Sequence, residues 1–228
     1  MADLRSGETA TAPGPCRAHE RVRSVALDPG DLAGGGPPAG FAYLGLEDTR
    51  SGAEHGPGRL VLLALPSRTV AGSLALPGAP VDLRLAPRGR GASPALYLLE
   101  RSGGAGGVVP APARGRVLVL DPLTLDVLGE YPLDGPASRL LPAPDGRSAF
   151  LVQHDVVQRL DLGTGRLREI ARLSGRVVAA ELAGGRLYLG SPEGRVLGVL
   201  DARTGLRRPD LRLPGHPVSL APAGPRAG

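Results

Sequence analysis

The chain contains no lysine, no asparagine and no tryptophan, and isoleucine occurs once, as Ile170. Every basic side chain apart from the histidines is therefore an arginine: 27 of them against 22 acids, a formal net charge of +5. Such a bias fits GC-rich coding, as in a high-GC bacterial genome, so the arginine excess says little by itself about a partner. Six aromatic residues in 228 leave no set of stacking platforms, and the arginines are scattered rather than striped, which argues against nucleic-acid binding. Cys16 is the only cysteine, so an intrachain disulfide is excluded. No stretch approaches the roughly 18 apolar residues of a membrane span. Residues 1–20 have no apolar core of a signal peptide as they stand, and Ala12-Pro13-Gly14-Pro15 ahead of Cys16 is not a lipoprotein signal. With 35 Gly and 24 Pro, long helices are excluded as well.

What is present is a repeat. RVLVL ends at Asp121, VVQRL at Asp161 and RVLGVL at Asp201, and each Asp is followed three places on by Thr124, Thr164 or Thr204. An earlier copy, RLVLLAL, lacks the Asp. A second landmark is independent. Four of the six aromatics, Tyr43, Tyr97, Phe150 and Tyr188, fall at one position of the unit, in AYLGL, LYLLE, AFLVQ and LYLGS. One large residue per repeat at a fixed core position is what stacked units need to fill a shared interior. The unit divides into four short strands, A to D, separated by Gly and Pro clusters. A four-stranded unit of about 40 residues is a propeller blade. The expectation is an all-β β-propeller of four to five blades, not necessarily complete. Its limits are a tail over 1–20, blades at 22–76, 81–132, 138–173 and 177–213, a lone strand at 217–221, and a second tail over 223–228. That lone strand is an open edge through which copies of the chain could associate.

In Asp161-Leu162-Gly163-Thr164-Gly165 and in the matching segment from Asp201, the Asp is expected to accept backbone N–H bonds across the C–D turn, and a Gly to supply positive φ. Asp145-Gly146 is expected to close an A–B hairpin. These aspartates are read as turn residues and not as ligands.

The segment from Gly115 to Val152 resembles the YVTN-type repeat of bacterial β-propellers, through Val117, Val119, Asp121, Thr124, Gly135, Pro144-Asp145-Gly146 and Phe150 to Val152. The likeness extends more loosely over about Val22 to Leu220. It implies a propeller fold and, for family members, surface-layer proteins, lactonase-like enzymes or binding modules, with an extracytoplasmic setting. The family's seven blades are not all present here.

In a propeller the B–C and D–A loops share one face. Two of the longest insertions, 47–58 and 100–115, are B–C loops, and long insertions mark function more often than tight turns do. Glu47, Glu100, Arg101, His154 and Asp155 leave strand B on this face, with Ser191 to Glu193, and Asp134, Arg176 and His216 stand in D–A loops. Of these, Glu47, Glu100, Arg101, His154, Asp155, Arg176 and His216 form the candidate ligand-binding face. His154 beside Asp155 is the one general-base candidate. His55 falls in an insertion and His19 in the tail. No serine has a nucleophile elbow, and the Gly-rich run at 103–107 is not followed by a helix and a Lys as a phosphate loop would be.

The sequence therefore points first to a non-enzymatic module that binds a protein or a small polar ligand, without a cofactor. Its alternatives are a lactonase- or hydrolase-like enzyme using mouth acids and a divalent cation, as the resemblance implies, and a truncated propeller with no independent function.

Overall fold

The computed structural model describes residues 16–28, 40–50, 56–88, 93–103, 113–192, 194–217 and 219–220. Much of the two B–C insertions and of the first A–B loop, His55, Glu193, Val218 and the two ends of the chain lie outside these residues.

Sixteen strands form four antiparallel sheets of four. The first sheet holds β1 (Glu20–Asp28), β2 (Phe41–Asp48), β3 (Gly58–Ala64) and β4 (Thr69–Leu76). The second holds β5 (Ala79–Pro87), β6 (Pro94–Ser102), β7 (Arg114–Leu120) and β8 (Val127–Leu133). The third holds β9 (Arg139–Pro142), β10 (Ser148–Gln153), β11 (Val156–Asp161) and β12 (Leu167–Arg172). The fourth holds β13 (Ala179–Ala183), β14 (Arg186–Gly190), β15 (Val196–Asp201) and β16 (Arg207–Arg212). Each sheet is a meander in chain order, so every sheet is one repeat and the strands are A, B, C and D in turn. This is a β-propeller of four blades.

Burial follows from position in the blade. The middle strands β6 and β10 are buried almost throughout, because both faces meet another blade. The outermost strands alternate or are exposed, and β16 is exposed along its whole length. Each C–D pairing carries a register shift, at Leu62/Leu63, Val119/Leu120, Val157/Gln158 and Leu197/Val199. Such irregularities increase the twist of the outer edge.

Three cores lie between consecutive blades. Tyr43, Leu60 and Leu62 of the first blade meet Leu83, Leu96, Leu98, Leu118 and Leu120 of the second. Tyr97, Leu99, Val117 and Val119 meet Leu140, Ala149, Leu151 and Leu160 of the third. Phe150, Val152 and Val157 meet Ala180, Leu187, Leu189 and Leu200 of the fourth. In the first three blades the repeated aromatic thus packs against the following blade. Tyr188 belongs to none of these cores and is only half-buried.

Polar bonds join the same neighbours. The Leu140 N–H donates to Asp82 Oδ2 at 2.9 Å, Tyr131 Oη donates to the Leu162 carbonyl at 2.6 Å, and Arg139 Nη2 donates to the Val178 carbonyl at 3.0 Å. The turn aspartates act as hairpin residues require. Asp161 Oδ1 accepts from the N–H groups of Gly163 and Thr164 and from the Thr164 hydroxyl. Asp201 repeats this set with Arg203 and Thr204. Gly165 and Gly205 hold φ of 71° and 75°. Asp121 keeps the two backbone bonds, but there the left-handed residue is Leu125, at φ 63°. Its side chain is buried between the first two blades, which offsets the strain that a glycine would avoid.

Beyond the fourth blade, Pro217 is buried against Gly190, where an added Cβ would sit 2.8 Å from the proline ring. Pro80 packs in the same way on Gly45 at the junction of the first and second blades. Ser219 and Leu220 are assigned to no strand.

Candidate functional site

The ends of strand B come first, since the candidate carboxylates stand there. Glu47 is 1% exposed. It lies directly across from Arg21 in the β1–β2 register, and the pairing then steps from Val22 to Ser24, leaving Arg23 as the extra residue. That bulge brings a second guanidinium to the same carboxylate: Arg21 Nε and Arg23 Nε lie 2.6 and 2.7 Å from Glu47 Oε2. Glu100 is also 1% exposed. Its cross-strand partner is Arg116, whose Nε and Nη2 donate to Oε2 at 3.0 and 2.8 Å while Nη1 reaches Glu130 at 2.7 Å. Gly78 passes so close that a Cβ there would stand 2.8 Å from Glu100 Oε1.

A third pair of this kind joins Glu20 of β1 to Arg59 of β3, at 2.7 and 2.8 Å. The Arg59 guanidinium holds the Glu20 carboxyl down at about 2. Buried carboxylates persist only with such geometry. Their oxygens serve the frame rather than the solvent.

Arg59 and Arg116 were not among the sequence candidates, although a signal for them exists. Both follow a glycine at the point where an insertion re-enters strand C, in Gly58-Arg59 and Gly115-Arg116. Gly58 has no room for a Cβ, which would meet the Leu46 carbonyl and Pro80. The dipeptide is thus a close approach followed by a clamp, and it roots each long B–C insertion to its blade.

The remaining candidates are spread out. His154 occupies the two-residue turn between β10 and β11 at φ 56°, and its side chain is 73% exposed. Its Nδ1 stands 3.5 Å from Asp155 Oδ1, but Asp155 also faces Arg172 at 3.3 Å. Burial pushes the Asp155 carboxyl up, yet its own backbone N–H, Arg172 and His154 together bring it below its ordinary value. The carbonyls of His154 and Asp155 accept from the N–H groups of Val177 and Leu173, so this turn also seals the connection to the fourth blade. Arg176 and His216 are exposed, and Arg101 is half-buried with an Nε that has no hydrogen-bond partner among the described residues. Among the described residues, no three His, Cys, Asp or Glu side chains are grouped so as to hold a metal ion.

The structure adds a site that strand B did not suggest. A cavity of about 290 Å³ is lined by residues from strand A of all four blades: Arg23 to Val25 of β1, Val81, Asp82 and Arg84 of β5, Arg139 of β9, and Ala179 and Ala180 of β13. Ser219 and Leu220 complete it. Strand A enters from the D–A loops, and most of these residues lie in its leading part, so the cavity belongs to the B–C/D–A end of the propeller axis. A larger cavity, of about 410 Å³, lies at the opposite end between the second and third blades. Arg88, Arg147, Tyr131 and Asp161 are among its lining residues.

Four meandering sheets around an axis, with strand A innermost, define the class: a β-propeller. Solved structures agree on this fold. The chain is similar to a structure described as the mitotic checkpoint complex, with TM-score 0.56 and 17% identity over 80% of this chain and 50% of that one. It is similar also to the Dos1 propeller, with TM-score 0.57 and 11% identity over 79% of this chain and 46% of that one. The chain spans about half the length of each. No protein-family model matches the chain, and no curated protein matches it in sequence. No helix among the described residues is long and apolar enough to cross a membrane.

Proposed function

We propose that the chain is a non-enzymatic binding module that engages a protein partner on its B–C/D–A face. The observation that carries this reading is the way the two long insertions are rooted. The frame is locked where each leaves strand B, by Glu47 with Arg21 and Arg23 and by Glu100 with Arg116. Loops presented from a rigid frame are the usual form of a recognition surface. The exposed Arg176, His154 and His216 extend the same face. The similarity to a structure described as the mitotic checkpoint complex supports a protein-interaction role. The YVTN-type resemblance supports an extracytoplasmic setting. A hydrolase would need mouth carboxylates free to hold a cation, and both Glu47 and Glu100 are engaged by arginine.

The test is a pull-down with the intact chain and with a variant whose residues 49–56 and 104–112 are replaced by short Gly-Ser links. Loss of partner capture with an unchanged melting temperature is the expected result. Capture that survives both replacements would place the interaction elsewhere.

A further inference from the structure

We infer that the axial cavity is a binding site for a single multivalent oxyanion of phosphate or sulfate size, held by Arg84 and Arg139. With Arg23 they come from three different blades and line one half-open cavity. The rim clamps elsewhere in the molecule bring arginine and carboxylate to 2.6–3.0 Å. Around Arg84 and Arg139 the compensation is looser. Arg84 meets Asp82 and Glu181 only at 3.4 Å each, and its Nε has no hydrogen-bond partner among the described residues. Arg139 donates to the carbonyls of Ser138 and Val178, and among the described residues no carboxylate lies within ion-pair distance of it. Arg23 is itself clamped to Glu47, through Nε at 2.7 Å and Nη2 at 3.3 Å.

Among the described lining residues three arginines stand against one carboxylate, a balance that favours an anion there. The guanidinium fork matches tetrahedral oxyanions bidentately. Among the described residues Asp82 is the one acid lining the space. Burial pushes its carboxyl up, against the pull of Arg84 and Arg139 and of the Leu140 N–H, so it sets the limit on how strongly an anion is held.

Titration calorimetry with sulfate and with inorganic phosphate, at ionic strength fixed with sodium chloride, tests this. Saturable one-to-one binding is expected. It should weaken at least tenfold in Arg84→Gln and in Arg139→Gln, and much less in Arg139→Lys. Asp82→Asn keeps an acceptor for the Leu140 N–H while removing the repelling charge, and is expected to tighten binding several-fold. Sulfate that binds no better than chloride would overturn the inference. So would affinity unchanged in folded glutamine variants, or an Asp82→Asn protein with no gain.

A short neutral peptide carrying phosphoserine identifies the source. Tenfold tighter binding than inorganic phosphate means that a protein delivers the anion, and equal binding means a free ion. The inference stands apart from the loop-borne partner, because sulfate binding in the loop-replaced variant is expected to be unchanged.

Discussion

Tyr43 and Phe150 occupy the same position of the repeat and differ by one hydroxyl. Both are buried against the next blade, but the Tyr43 hydroxyl has no hydrogen-bond partner among the described residues, and burial pushes it up to about 12. A buried hydroxyl without a partner costs about 1–3 kcal/mol relative to none. Tyr43→Phe is therefore expected to stabilise the chain by about 1 kcal/mol, raising the melting temperature by roughly 2–4 °C in a domain of this size. A fall in melting temperature would mean that the hydroxyl is satisfied. The aromatic position itself was legible in the sequence, because six aromatics in 228 residues make a fixed spacing stand out. The state of each ring's end was not, since it depends on which atoms of the next blade happen to face it. The Asp161 and Asp201 turns were legible for a different reason: their partners are two and three residues away. The engagement of Glu47 and Glu100 was illegible because it depends on a bulge at Arg23 and on cross-strand register.

At the scale of the strand, the A–B–C–D unit could be read from apolar runs and turn residues, whereas the links that tie one strand to another could not. Glu20 shows this. It stands at the start of β1 and reaches past β2 to Arg59 on β3, a connection with no local signature. The folded Glu20 carboxyl sits at about 2 against an ordinary 4.5. The pair thus gives its full stabilisation above pH 4.5 and loses it as the pH falls towards 2. Other acids are also held low, Asp48 by Arg50 and Asp201 by the Thr204 N–H and hydroxyl, so the intact chain alone does not isolate the effect. The comparison that does is Glu20→Gln against the unaltered chain in thermal melts. The variant is expected to be less stable at pH 7, with the gap closing between pH 4.5 and pH 2. A gap that stays constant across that range would assign the loss to packing instead of charge.

Across the whole molecule, stability is distributed over interfaces between neighbouring blades, as in any stacked array. One residue type at one repeat position should then be worth different amounts according to what stands beside it. Tyr97 is 1% exposed and sits in the core between the second and third blades. Tyr188 holds the same position in the fourth blade, is half-buried, and packs into none of the three inter-blade cores. Replacing a fully buried aromatic by alanine costs about 3–5 kcal/mol through lost transfer energy and the cavity left behind. Tyr97→Ala is expected to fall in that range, and Tyr188→Ala to cost about 1 kcal/mol, because a partly solvated ring loses less on truncation. Chemical denaturation of the two variants decides it. Equal losses would show that Tyr188 is covered as fully as Tyr97, and hence that the face of the fourth blade is packed like an interior blade. The sequence alone assigns both tyrosines one role. Their difference comes from the order of the blades along the chain, which gives Tyr97 a following sheet among the four described and gives Tyr188 none.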